Sequence, residues 1–169
     1  VVGGEISPAV FVETIAWIAA GDASAAWCMG QSSGCSMAAA YLAPDVARAV
    51  FGGARDVLAW GQGPGSRALR APGGWRLSGT WRFASGSRHA TWLGGHAAVC
   101  AEDGTPLRRP DGKPDERTLL FPRTAARIED VWQVMGLRGT GSDTYAVGDL
   151  CIPEEYVLRR DDPAGRREE

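Results

Sequence analysis

Two short runs concentrate the residues that could do chemistry. In "WRFASG" (residues 81–86) the Ser85 hydroxyl stands where an alternating segment ends, and Gly86 follows it. Glycine has no side chain, so a second backbone or a ligand can come close there. Trp81, Phe83 and Ala84 precede the serine and Trp92 lies shortly beyond, apolar and aromatic residues of the kind that wall a flat ligand. In "GLRGTGSD" (residues 136–143) Arg138, Thr140 and Ser142 put one cation and two hydroxyls on a turn between strands, with Asp143 available as a partner for Arg138. That run is rich in glycine, yet it lacks the GxxxxGK[ST] pattern and the strand–helix context of GxGxxG, so it is not a phosphate loop. Each residue also has a plainer use. Ser85 can be a strand-end turn residue, Arg138 can cap carbonyls on a solvated turn, and Trp81 and Trp92 can be core.

Other chemistries find little material. Cys28, Cys35, Cys100 and Cys151 form no CxxC pair or other metal-ligand spacing, and they read as reduced, small apolar residues of a cytoplasmic protein. His89 and His96 are the only histidines, too few for a His-built metal centre, and both read as structural. The net charge of −2 offers no basic footprint for nucleic acid or an anionic membrane. No apolar run approaches the roughly 20 residues of a membrane span, and no signal peptide opens the chain.

The elements that must position these residues divide the chain of 169 residues in two. Ser7 is a good N-cap and Pro8 suits a first helical turn; Phe11, Thr14, Ile15 and Ile18 then recur at helical spacing, which predicts one buried face ended by Gly21. A second helix starts from Asp22 or Ser24 and reaches about Leu42. It is small-sided: Ala, Ser, Gly and Cys fill 14 of the 18 positions from 23 to 40. Either another helix packs closely on it or a flat ligand lies against it. A third, short helix follows at "APDVARAVFGG". From Asp56 onward the pattern changes to about seven short alternating segments, which read as an antiparallel barrel or sandwich. The polar run "EDGTPLRRPDGKPDER" predicts a long exposed connection. The fold class is therefore α+β, helices followed by an antiparallel β-barrel.

At this point the two runs can be extended. "GGWRLSGTWRFASGSRHATWLGGHA" (residues 73–97) and "VWQVMGLRGTGSDTYAVGDLCIPEEYV" (residues 131–157) resemble, in the same order, two signatures of the flavin-dependent monooxygenases of the acyl-CoA dehydrogenase fold. "DASAAWCMGQ" resembles the helical segment before them. The resemblance implies a fragment of a longer chain: residues 1–54 end an N-terminal helical domain, 55–158 form the middle β-barrel domain, and 159–169 are a charged tail leading to a missing C-terminal helical bundle. It implies the oxygenase component of a two-component system. Reduced FMN or FAD comes from a separate flavin reductase, and O2 is used to hydroxylate an aromatic or similar small-molecule substrate. A homo-oligomer, tetrameric at full length, is implied as well. By the same resemblance Ser85 lies at the flavin N5 side, with Trp81, Phe83, Ala84 and Gly86 around the cofactor. Trp27, Cys35, Arg138, Thr140 and Ser142 border the substrate region, Cys35 standing where some relatives carry a histidine. The catalytic base of such enzymes lies in the bundle. Two other readings stay open: an acyl-CoA dehydrogenase, and a non-catalytic barrel.

Overall fold

The computed structural model describes residues 6–162 and 165–167. Its helical part comes first: α1 (Pro8–Gly21), α2 (Ala23–Ser36), a 3-10 turn Met37–Tyr41 and α3 (Pro44–Phe51). Ser7 caps α1 by accepting from the Val10 amide. Asp22 is a lone extended residue between two helices, and its carboxylate caps α2 by accepting from the Ser24 and Ala25 amides at 2.8 and 3.0 Å. α1 lies against α2 alone among the elements it packs on closely, so the face of Phe11, Ile15 and Ile18 is half-buried rather than buried, and Thr14 is exposed. Trp17 on the outer side is 82% exposed. The small side chains of α2 turn Ala26, Cys28 and Cys35 inward, against β1 and the turn at residues 138–140. The helix thus packs closely, with its buried small residues against the sheet and the turn rather than against another helix.

The second part is an eight-stranded sheet: β1 (Leu58–Trp60), β2 (Arg67–Ala71), β3 (Gly74–Ala84), β4 (Trp92–Cys100), β5 (Glu116–Pro122), β6 (Arg127–Glu129), β7 (Asp143–Pro153) and β8 (Val157–Leu158). The pairing order is β6-β7-β3-β2-β4-β5-β8, with β1 added to β4. Two points correct the antiparallel barrel. The pairing path ends at β6 and β8 and does not close; those end strands are only three and two residues long. β1 and β2 run parallel to β4, the remaining pairs being antiparallel. "WRLSG" and "TWRFA" prove to be one 11-residue strand, β3, broken in register between Leu77 and Gly79 and again between Trp81 and Ala84. Gly79 belongs at the first break, because a Cβ there would meet Ser66 Oγ at 2.2 Å.

Two apolar clusters hold the parts together. One fills the inner face of the sheet around Trp81, Leu77, Phe121 and Tyr145. The other joins the helices to the outer face through Cys35, Leu42, Val50, Leu58 and Leu120. β4 serves both, since Leu93 and Ala97 join the inner cluster while Trp92 packs against the outer one. Among the described residues no helix is long and apolar enough to cross a membrane.

Candidate functional site

A cleft of about 1070 Å³ opens where α2, the β1–β2 connection, the end of β3 and the turn before β7 meet. Trp27, Gln31, Phe83, Ser85, Trp132, Leu137, Thr140 and Ser142 line one part of it. Trp60, His96 and Arg160 line another, and residues 61–66 contribute as well.

The second break in β3 shapes the first part. Phe83 is held at φ +57°, left-handed backbone that an aromatic residue rarely adopts. Its ring stands 62% exposed at the cleft, edge-on to Trp132 at 6.1 Å. Ser85 follows. Its Oγ accepts from Trp27 Nε1 at 2.9 Å and lies 2.8 Å from Ser142 Oγ, which lies 2.7 Å from Thr140 Oγ1. Thr140 Oγ1 donates to the Leu137 carbonyl at 2.9 Å. A continuous file of hydroxyls thus runs from α2 through the end of β3 into the turn at 137–142. Thr140 and Ser142 are buried, and Ser85 is the member of the file nearest solvent. Gly86, at φ +81°, closes the strand end and donates its N–H to the Thr140 carbonyl at 2.8 Å.

Beside this neutral file lies an ionic one. The Asp143 carboxylate, 2% exposed, takes Arg88 Nε at 2.7 Å and Nη2 at 3.1 Å, together with the Val131 and Trp132 amides at 3.2 Å each. Arg88 also reaches Asp130. Burial works to raise the Asp143 carboxyl, but the Arg88 bonds and the two amides outweigh it and hold it below the usual range. Arg88, not Arg138, is therefore Asp143's partner, because the turn points Arg138 outward while Arg88 folds across Gly141.

The other part of the cleft is built on the outer face of the sheet. His96 Nδ1 is 2.8 Å from Thr118 Oγ1, its ring meets Trp60 edge-on at 4.8 Å, and Arg160 lies over Trp60 at 4.7 Å. Burial, aided by Arg160, pushes the imidazole down to about 4, so His96 is neutral near neutrality.

The structure therefore brings Trp27, Phe83, Ser85, Thr140 and Ser142 together and leaves the other expected residues apart from the cleft. Trp81 is fully buried, stacked on Tyr145 at 5.2 Å and donating Nε1 to the His96 carbonyl at 3.0 Å. Ala84 points into the same core as Trp81, because the break between them shifts the alternation of β3 by one residue. Cys35 is buried in the helix–sheet cluster, where burial pushes its thiol up to about 11. Arg138 is exposed and lines no part of the cleft. Gln31, Trp60, His96, Trp132 and Arg160 were not expected there. Gln31 was legible in principle, four residues after Trp27 on one helix face; Arg160 arrives through tertiary packing alone.

No protein-family model matches the chain. It is 35% identical over 162 residues to a pigment production hydroxylase of Rhodococcus erythropolis, covering 95% of this chain and 40% of that one. It is 36% identical over 157 residues to the oxygenase component of an FADH2-dependent resorcinol hydroxylase of a Rhizobium species, covering 92% and 36%. The crystal structure of the HsaA monooxygenase from Mycobacterium tuberculosis superposes with a TM-score of 0.79 at 29% identity, over 92% of this chain and 41% of that one. The chain spans about two fifths of the length of these relatives. Over the residues it spans, the chain is similar in sequence and in fold to flavin-dependent monooxygenases and hydroxylases.

Proposed function

We propose that this chain forms the flavin-facing part of the oxygenase component of a two-component monooxygenase. The protein takes reduced FMN or FAD from a separate reductase and hydroxylates an aromatic or similar small substrate with O2. The observation that carries the reading is Ser85, whose hydroxyl reaches the cleft beside the Phe83 and Trp27 side chains. The residues present fit a flavin. Aromatic rings wall the cleft, a hydroxyl stands at the strand end, and Ser66 Oγ, on the lining run 61–66, is buried without a partner among the described residues.

When bound, the flavin supplies the activation of O2; the protein supplies binding, orientation and dryness. Phe83 and Trp132 offer apolar faces that displace water from a ring lying against them. Ser85 would give that ring one fixed polar contact, on the N5 side that the resemblance implies, and so set its register in the cleft. Gln31 and the neutral His96 are the side chains of the lining best suited to meet a substrate hydroxyl. Residues 1–54 belong in this reading to the helical domain and 55–158 to the middle domain. A homo-oligomer, tetrameric at full length, would cover Trp17 and Val12 on α1.

Relatives named as hydroxylases and monooxygenases favour this reading over acyl-CoA desaturation or a non-catalytic barrel. It is tested by supplying the full-length gene product with chemically reduced FMN or FAD, a panel of phenols and indoles, and 18O2. Mass spectrometry should find one labelled oxygen in a hydroxylated product. Consumption of O2 with no labelled product from any substrate would contradict it.

A further inference from the structure

The hydroxyl file has a direction, and both its ends impose it. The indole Nε1–H of Trp27 can only donate, and the Leu137 carbonyl can only accept. Three hydroxyls between such ends have one arrangement that satisfies all four links. Trp27 donates to Ser85, Ser85 to Ser142, Ser142 to Thr140, and Thr140 to Leu137. The reverse arrangement would set the Thr140 oxygen against the Leu137 carbonyl at 2.9 Å with no proton between them. Every hydroxyl proton is thus committed inward. Ser85 keeps one oxygen lone pair for the cleft and no proton.

We infer that Thr140 and Ser142 are positioning residues that make Ser85 a hydrogen-bond acceptor, so that the cleft selects a ligand bearing an N–H at that point. This rests on the proposed flavin reading. A reduced flavin carries a proton on N5, and an oxidised flavin offers a bare N5 lone pair. The file therefore favours the reduced form, and Thr140 and Ser142, both more buried than Ser85, set this preference through it. Ser142 acts one link and Thr140 two links away from Ser85. Releasing either link frees the Ser85 proton to turn toward the cleft, where it can serve an oxidised N5.

The experiment measures dissociation constants of the full-length gene product for reduced FMN, under anaerobic conditions, and for oxidised FMN. It compares the wild type with Thr140→Val, Ser142→Ala and Thr140→Ser, each checked by its thermal midpoint. Thr140→Val is isosteric and removes the link to Leu137; Ser142→Ala cuts the file one step earlier, so the test survives if one variant fails to fold. One hydrogen bond changes sign, so the preference for reduced over oxidised FMN should fall roughly 3- to 10-fold in both variants. The midpoint potential of bound FMN should fall in parallel by about 15 to 30 mV. Thr140→Ser restores the hydroxyl and should keep the wild-type ratio within about twofold. A merely structural loss would weaken both redox forms alike and leave the ratio unmoved. An unchanged ratio in Thr140→Val and Ser142→Ala, with the wild type binding reduced FMN, would overturn the inference and leave the flavin reading intact. A wild type that binds neither form would overturn both.

Discussion

Ser85 and Arg88 sit on one turn, and their partners Ser142 and Asp143 are adjacent on another, yet the two pairs differ in kind. The serines are neutral, joined to Trp27 and Thr140, and open to the cleft. Arg88 and Asp143 are charged, and the carboxylate is buried with two backbone amides upon it. The ionic pair is tied to backbone through the two amides on Asp143 and so fixes where the two turns lie. The neutral file then has only to orient protons. Charge beside the cleft is spent on architecture, which leaves the surface facing a ligand uncharged at that point.

If this division holds, cutting the ionic pair should mainly cost stability. Asp143→Ala strips the bonds of Arg88 and of the Val131 and Trp132 amides. It should lower unfolding stability by about 2–4 kcal/mol, below the figure for a fully buried pair because Arg88 is half in water. Urea denaturation measures this. A loss no larger than that of Ser142→Ala, for which about 1 kcal/mol is expected, would erase the distinction.

Acid sharpens the same contrast. Asp143 is held below its ordinary range, so its contribution is present above the unfolded carboxyl value and is lost as the pH falls through the folded one. His96 acts in a higher window. Its folded value is about 4 against an ordinary 6.5, so the unfolded chain takes up a proton that the folded chain refuses as pH falls between them. Stability should drop across that window, and His96→Gln should flatten the drop. Denaturation midpoints at pH 4 to 7 would show it, and an unaltered slope would remove His96 from the account. The neutral file, having no titrating member, should leave this profile unchanged in Thr140→Val.

What could be read in the sequence follows the range of the interactions. Ser7 and Asp22 as caps, the turn from helices to strands after Phe51, and Ser85 at a strand end are all local, and each stands where the pattern placed it. The short strand β2 went unseen because five residues around Leu69 carry little alternation of their own; pairing with β3 and β4 makes them a strand. The segment after Glu129 is irregular, since Asp143 takes the amides a sheet neighbour would have used. At the site, Trp81 and Phe83 share aromatic character and are two residues apart, so strand alternation alone would put both on one face. The break in β3 separates them, sending Trp81 into the core and Phe83 to the cleft. Arg138 and Arg88 were equally plausible partners for Asp143 by type; only the folded turn decides between them.

The account stands most directly on Ser85 as the group that meets the flavin. Reduced, flavin-loaded full-length protein mixed rapidly with O2 should release hydrogen peroxide faster when Ser85 is replaced by Ala. Loss of one hydrogen bond to the cofactor, about 1–3 kcal/mol, corresponds to roughly 5- to 150-fold in that rate. Peroxide release at the wild-type rate in Ser85→Ala, with flavin still bound, would contradict it and return Ser85 to the role of a strand-end turn residue.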